Sequence, residues 1–344
     1  MAILVTGGAG YIGSHTCVEL LEAGHDVVVI DNLSNSSLEV IHRVQKMTGK
    51  TVAFYEGDLV NRPLLEQVFA RHPIEAVVHF AGLKAVGESV EKPNWYYYTN
   101  LISTLHLLQV MEKYAVRKLV FSSSATVYGA SSDMPIRENA NRQAVNPYGR
   151  TKLMIEEMLE DHYRANPDWR FVILRYFNPI GAHPSGFIGE DPAGQPNNLM
   201  PYVTQVAVKK RPVLHVFGQD YPTPDGTGVR DYIHVVDLAA GHIQALKKTD
   251  EPGCFAYNLG TGRGYSVLEV IRTFEEATGQ SVPYRMQARR QGDAAVCYAD
   301  AEKAKRELNW EAVRSLQDMC RDAWRWQVRN PNGYGKNEYL KSSG

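Results

Sequence analysis

Tyr148 and Lys152 stand four residues apart as Tyr-x-x-x-Lys. On a helix that spacing puts both side chains on one face. Asn146 and Pro147, just before them, read as an N-cap and a first helical residue, so the pair is expected at the start of a helix. A free phenol has a pKa near ~10 and is a poor base at neutral pH, but a neighbouring cation favours the phenolate and makes it a usable general base. With 19 tyrosines and 37 lysines or arginines, chance alone also supplies such a spacing. A second feature lies upstream. The apolar run Leu119-Val120-Phe121 ends in Ser122-Ser123-Ser124. A serine at such a strand end either hydrogen-bonds an oxygen that is becoming a carbonyl or is only an exposed terminus.

A third feature is Thr6-Gly7-Gly8-Ala9-Gly10-Tyr11-Ile12-Gly13, which follows one apolar run and opens a helical pattern. It fits G-x-G-x-x-G at Gly8, Gly10 and Gly13, and G-x-x-G-x-x-G at Gly7, Gly10 and Gly13. Glycines here permit a tight turn and close approach of backbone to a pyrophosphate, whose charge then meets a helix N-terminus. A glycine triplet alone is equally a turn. Asp31, at the end of the next apolar run, adds an acid suited to adenosine ribose hydroxyls and hostile to a 2′-phosphate. Together they imply a dinucleotide site and favour NAD over NADP. The nicotinamide ring then supplies a second positive charge beside Tyr148. Asp58, in Gly57-Asp58-Leu59, either covers the adenine or caps its own turn.

These residues need a scaffold, and the first 180 positions supply a strand–helix alternation. Strands are expected at Ile3–Val5, Val27–Ile30, Val52–Tyr55, Val77–Phe80, Leu119–Phe121 and Val172–Leu174. Most are continuous apolar runs, as in parallel strands buried on both faces. Helical patterns include Ser14–Ala23, Leu64–Arg71 and Leu105–Tyr114. The implied fold is α/β, a doubly wound parallel sheet with ligands beyond the strand carboxyl ends. After Pro179 the chain turns Gly/Pro/Asn-rich, and helical patterns return at Val236–Leu246, Val267–Thr278, Ala301–Leu308 and Leu316–Val328. We therefore expect a dinucleotide-binding domain at 1–178 and a smaller mixed α/β lobe at 179–334. The stretch near 233–262 is a candidate to pack back on the first domain, and 335–344 reads as a loose tail.

Composition narrows the partners. The 344 residues carry 37 Lys+Arg against 38 Asp+Glu, a net charge of −1, which gives no footprint for nucleic acid or an anionic membrane. No apolar run nears the ~18 residues of a membrane span, and the start of the chain lacks a basic leader, so neither membrane nor secretion is expected. Cys17, Cys254, Cys297 and Cys320 are far apart without a CxxC, which argues against a disulfide framework or zinc knuckle. The 11 histidines show no ligand-like spacing, so no metal is expected. A cytoplasmic enzyme acting on a small molecule remains.

Taken with the glycine loop and Tyr-x-x-x-Lys, longer stretches are recognisable. These are His79-Phe80-Ala81-Gly82-Leu83-Lys84-Ala85-Val86-Gly87-Glu88-Ser89, Ser122-Ser123-Ser124-Ala125-Thr126-Val127-Tyr128-Gly129, Leu174–Pro179, Pro196–Pro201, Gly226–His234 and Tyr257–Gly260. Over about residues 2–334 the chain resembles the extended short-chain dehydrogenase/reductase family, most closely its UDP-glucose/UDP-galactose 4-epimerases. The resemblance implies bound NAD regenerated in each cycle, with Tyr148 taking the sugar 4-OH proton. Lys152 would bind the nicotinamide ribose and lower the Tyr148 pKa, and Ser124 would bond the reacting oxygen. A 4-keto sugar would then turn round while UDP is held. Cofactor contacts carry over to Tyr11, Ile12, Asp31, Asn32, Asn35, Ser36, Asp58, Leu59, Phe80, Ala81, Gly82, Lys84 and Phe177. Asn100 joins them, although Thr99 replaces an asparagine of some members. UDP-sugar contacts carry over to Lys84, Asn178, Asn198, Leu199, Val216, Phe217, Arg230, Tyr232, Arg290 and Asp293. Arginine forks suit a diphosphate, although Arg289-Arg290 alone would read as a solvated charge pair. Members are commonly homodimers through two helices, here around Trp95–Tyr114 and Tyr148–Arg164. The run Tyr96-Tyr97-Tyr98 either joins that contact or packs inside.

One departure bears on substrate range. Cys297 occupies a position where members restricted to glucose and galactose carry tyrosine, and where members accepting N-acetylated sugars carry a small residue. A 2-acetamido group needs the volume that a phenol ring would fill, so activity on UDP-GlcNAc/UDP-GalNAc is expected as well. A buried inert thiol is compatible with that reading, since size is what counts. Nucleotide-sugar 4,6-dehydratases and decarboxylases share the fold, but Ala125 and Thr126 stand where the dehydratases have an Asp-Glu pair. A reductase that releases its cofactor and a non-catalytic NAD-sensing protein are the remaining alternatives.

Overall fold

The apolar runs of the first half lie side by side in one parallel sheet. The computed structural model describes residues 2–131, 133–290 and 293–335. Across its seven-stranded sheet the order is Gly253–Leu259, Arg170–Tyr176, Lys118–Ser124, Ile74–His79, Ala2–Thr6, Asp26–Asp31, Val52–Glu56. All pairings are parallel. Both faces are covered, which is why the runs are continuously apolar. Along the central strand, Ile3 and Val5 join the layer with Val18, Leu21 and Val40, while Leu4 joins the layer with Val68, Leu107 and Leu159. The strand order reverses between Ala2–Thr6 and Ile74–His79, so a crevice opens at that switch point.

The differences from the sequence reading have local causes. The fourth strand is Ile74–His79 and excludes Phe80, because the Phe80 and Ala81 amides both turn to the Thr6 carbonyl, at 3.0 and 3.1 Å. The helix expected at Leu105–Tyr114 begins far earlier and spans Pro93–Lys113. Its aromatic start hid it: Tyr96 is fully buried, bonding the Ala85 amide and the Glu88 carboxylate at 3.0 Å each, while Trp95 and Tyr98 are exposed. The helix Leu38–Thr48 and the strand Gly253–Leu259 were not read from the sequence. The second is the edge strand of the main sheet, pairing along Arg170–Tyr176, and the helix Val235–Lys248 packs on the same sheet.

Beyond Pro179 the chain builds smaller sheets. Val229–His234 is flanked by Gly264–Ser266, Val296–Cys297 and Asn178–Ile180, and Leu214–Phe217 pairs with Tyr284–Gln287. The helices Leu199–Ala207, Val267–Thr278 and Leu316–Arg329 enclose a separate core around Val203, Ile271, Phe274 and Met319. The expected tail at 335–344 lies, apart from Gly335, outside the described residues.

Candidate active site

The glycine loop forms the floor of a cleft at the switch point. Gly7 has φ +71°, and a Cβ there would stand 2.8 Å from the Ala81 nitrogen. A Cβ on Gly13 would meet the Gly7 carbonyl at 2.3 Å. Larger residues would therefore break the turn that aims the helix Tyr11–Glu22 at the cleft. Gly10 is the N-cap of that helix and provides no side-chain cap, which leaves its first amides available to an anion. Cofactor residues anticipated from the sequence line this cleft: Gly7, Gly10, Tyr11, Ile12, Gly13, Asp31, Asn32, Asn35, Ser36, Asp58, Leu59, Phe80, Ala81, Gly82, Lys84, Tyr148 and Lys152. The cradle thus fits a dinucleotide.

Asp31 ties the cleft together. Its carboxylate accepts from the Ala9 and Leu33 amides, each at 3.0 Å, and from the Ser36 hydroxyl at 2.8 Å. Asp58 caps its own turn through the Val60 amide at 2.9 Å and also lines the cleft. Three anticipated cofactor residues, Asn100, Ser124 and Phe177, do not line the cleft. Asn100 is buried, with its amide engaged by both backbone groups of Leu83 and by the Thr151 hydroxyl, so it shapes the Gly82–Lys84 loop from behind. Phe177 packs against Val127, Tyr128 and Ala299.

Other cleft residues were missed from sequence. Gly189, Glu190, Asp191, Pro192 and Tyr334 line the same space. Tyr334 exchanges two 2.9 Å hydrogen bonds with the backbone of Gly189, and the Ala193 amide reaches Asn35 at 3.1 Å. Arg43 fastens this strap, donating to Asn330 at 2.6 Å and to the Phe187 carbonyl at 3.0 Å. Glu190, raised by burial, faces Lys84 at 3.9 Å and accepts from Asn198 at 2.6 Å. A Gly/Pro-rich loop and a distant tyrosine carry no local signal of such a meeting.

The reactive groups stand at the deep end of the cleft. Asn146 caps the helix Pro147–Ala165 through the Gly149 amide at 2.8 Å, as expected, and this fixes the turn carrying Tyr148. Lys152 is buried, its Nζ donating to the Ser122 carbonyl at 2.7 Å and lying 6.0 Å from the Tyr148 ring centroid. Ser124 ends the strand Lys118–Ser124, and its oxygen accepts from the Thr126 amide at 3.2 Å and hydroxyl at 3.0 Å. Its proton is thereby directed to another acceptor, and Tyr148 is a hydrogen-bond partner. Burial raises the Tyr148 pKa, opposed by the Ser124 bond, while burial pushes Lys152 down to about 8. Burial is thus the larger influence on the phenol, and a positive charge placed beside it would oppose burial.

This has a consequence for stability. Lys152 releases its proton near pH 8 when folded and near 10.5 as an ordinary lysine, so between those values the unfolded chain binds more protons. Raising pH through that window should stabilise the cofactor-free chain relative to Lys152→Met, as read from denaturant midpoints at pH 8 and pH 10. A difference between the two proteins that is independent of pH would refute the buried ammonium.

Of the anticipated substrate residues, Lys84 and Tyr148 line the cofactor cleft, whereas Asn198, Leu199, Val216, Phe217, Arg230, Tyr232, Arg290, Asp293 and Cys297 sit in the second lobe and do not line it. Arg230 and Cys297 are register partners on adjacent strands. Tyr232 is buried, and its hydroxyl, pushed up to about 12 by burial, is acted on by both Arg230 and Arg290. Arg290 pairs with Asp293 at 2.9 Å and lies 5.1 Å from the centre of the Phe217 ring. Asn178 pairs with Tyr232, and Asn198 is the N-cap of the helix that begins at Leu199. Val216 is a correction: strand alternation turns its side chain into the core, and the residue is buried, while Phe217 faces out. Cys297 is half-buried beside Phe177 and Val127. Among the described residues, no group of three or more His, Cys, Asp or Glu side chains is placed to hold a metal.

Comparison with known proteins adds to this geometry. Residues 3–260 match the family model for the NAD dependent epimerase/dehydratase family. The chain is 63% identical over 335 residues to a UDP-glucose 4-epimerase of Bacillus subtilis (strain 168), covering 97% of this chain and 99% of that one. It is 57% identical over 341 residues to a UDP-glucose 4-epimerase of Mus musculus, covering 97% and 98%. A crystal structure of UDP-glucose 4-epimerase from Bifidobacterium longum, in complex with NAD+ and UDP, superposes with a TM-score of 0.94. It shares 55% identity and covers 97% of this chain and 100% of that one.

Proposed function

The chain belongs to the NAD dependent epimerase/dehydratase family, and from that premise we propose that it interconverts UDP-glucose and UDP-galactose by inversion at C4. The observation that carries this is Tyr148, Ser124 and Lys152 together at the end of a dinucleotide cleft. Bound NAD supplies the hydride acceptor and donor at C4. Tyr148 accepts the 4-OH proton and later returns it, Ser124 bonds the same oxygen as it becomes a carbonyl, and Lys152 holds the ribose side of the cleft. Arg230 and Arg290 grip the diphosphate as forked donors, with Asn178, Asn198 and Phe217 around the nucleotide. A firm hold on UDP with few direct bonds to the sugar lets the 4-keto sugar turn over between the two half-reactions. Residues 1–178 form the NAD-binding domain in this reading and 179–334 the UDP-sugar lobe, with 233–262 packed back on the first domain.

The test is purified protein incubated without added cofactor with UDP-galactose, followed by NMR at C4. Inversion without added NAD is expected, and a requirement for stoichiometric NAD would favour a simple dehydrogenase. Asp31→Ser is expected to lower the NAD content of purified protein and to relax exclusion of a 2′-phosphorylated dinucleotide by about tenfold, about 1.4 kcal/mol. Undiminished NAD content and discrimination would remove Asp31 from that role.

Small Cys297 supports turnover of UDP-GlcNAc and UDP-GalNAc as well, and polysaccharide precursors are then among the products. Exposed Val90, Trp95, Tyr98 and Met154 lie on neighbouring helices and support a homodimer through that face. Among the described residues no helix is long and apolar enough to cross a membrane. Four free thiols support a reducing, cytoplasmic setting.

A further inference from the structure

The helix Pro147–Ala165 carries a third polar residue in step with Tyr148 and Lys152. Glu156 follows Lys152 by the same four-residue spacing and is fully buried. A buried carboxylate is costly unless every lone pair is engaged, and here each oxygen accepts two bonds. Oε1 takes the Ser123 hydroxyl at 2.5 Å and Arg175 Nε at 3.0 Å. Oε2 takes Arg175 Nη2 at 2.7 Å and Arg142 Nη1 at 3.1 Å. Ser123 and Arg175 are register partners on adjacent strands, so the carboxylate clamps two strands of the main sheet from one helix. Arg175 is itself held by the Tyr128 hydroxyl and the Glu138 carbonyl, each at 2.8 Å.

The position of this clamp is what gives it a role. Ser123 lies between Ser122, whose carbonyl receives the Lys152 ammonium, and Ser124, which bonds Tyr148. We propose that Glu156 is a positioning residue for the epimerase reaction, fixing the Ser122–Ser124 strand end and supplying the negative charge that keeps Lys152 an ammonium. The proposal rests on the UDP-sugar reading above.

The surroundings of Lys152 leave that electrostatic task to Glu156. Its own helix presents Tyr148 and Glu156. The strand Ile74–His79 presents His79, a neutral imidazole held between Thr6 and Thr104, its pKa lowered by burial and by Lys152 to about 3. The strand Lys118–Ser124 presents the Ser122 carbonyl and the face of Phe121, whose centroid is 4.9 Å from Nζ. Tyr176, on the next strand, has its hydroxyl raised by burial and stays neutral. Burial lowers the Lys152 pKa and Glu156 opposes it. Arg175 and Arg142 both donate to that carboxylate, so removing its charge alone would leave two guanidinium groups without their counter-charge.

The test compares kcat and KM for UDP-galactose against pH in the holoenzyme, for the wild type, Glu156→Gln, Glu156→Asp and Ser123→Ala. Glu156→Gln should lower kcat by ~10-fold or more with KM within about twofold, and move the alkaline limb of the kcat profile down by about one pH unit. Glu156→Asp should restore the limb, because charge is kept. Ser123→Ala, which leaves the arginine pairs intact, should lower kcat several-fold without moving the limb. An unmoved limb in Glu156→Gln would overturn the electrostatic role, even with kcat reduced. Should that variant fail to fold, Glu156→Asp and Ser123→Ala decide: wild-type kcat in Ser123→Ala, or a displaced limb in Glu156→Asp, overturns the proposal. A wild type that does not invert UDP-galactose would instead overturn the underlying reading.

Discussion

Tyr148→Phe is expected to lower kcat for UDP-galactose inversion by ~10³-fold, within the ~10²–10⁴ that a positioned acid–base group contributes. The ring stays, so packing at the cleft wall and the fold should be kept, and NAD content should be close to wild type. What is lost is the phenol assigned to take and return the 4-OH proton beside Ser124. The effect should appear in kcat far more than in KM, because the lost bond matters as charge moves. Burial raises the Tyr148 pKa, so a positive charge beside it would favour the base. Oxidation of the bound cofactor should accordingly make the phenol more acidic. A spectroscopic titration of the tyrosine with NAD⁺ against NADH bound should show the lower value with NAD⁺. Turnover by Tyr148→Phe at more than a tenth of the wild-type rate would displace Tyr148 from the role.

Cys297→Tyr is expected to abolish turnover of UDP-GalNAc while leaving UDP-galactose within a few-fold of wild type. Cys297 pairs in register with Arg230 and packs beside Phe177 and Val127, between the expected diphosphate clamp and the Ser124 region. A phenol ring at this point would fill the space that a 2-acetamido group must sweep as the sugar turns, and overfilling a packed site costs ~1–3 kcal/mol or more. The discrimination comes from the added bulk, so Cys297→Ser should keep both activities. Equal loss of both substrates in Cys297→Tyr would mean that the tyrosine disturbs Arg230 or the strand, and the steric account would fall.

Net charge offers a useful contrast with these sites. A chain at −1 overall is assigned an anionic diphosphate and a dinucleotide, because recognition falls to one uncapped helix end and a few cations. Ion pairs such as Arg290–Asp293 and Lys84–Glu190 hold those cations near partners that a phosphate would have to displace. Whole-chain composition averages all of this away.

Much of the scaffold was legible in the sequence because backbone periodicity is local. Continuous apolar runs marked strands buried on both faces, the glycine spacing marked the turn, and Asn146-Pro147 marked where the helix bearing Tyr148 begins. Those features depend on neighbours within a few residues, and they determined the α/β class, the cofactor cleft and the Tyr148–Lys152 pair. Where aromatics crowded a helix start, as at Trp95–Tyr98, the same periodicity was obscured. Burial, charge pairing and side-chain direction depend on partners far along the chain, and only the tertiary structure decided them. It turned Val216 inward, placed Asn100 behind the cofactor loop, and brought Glu190 and Tyr334 to the cleft. It also joined Glu156 to Ser123, Arg142 and Arg175, and raised the Tyr148 pKa by burial. A pKa or an ion pair is a property of the space around a group, and that space exists only once the chain has folded.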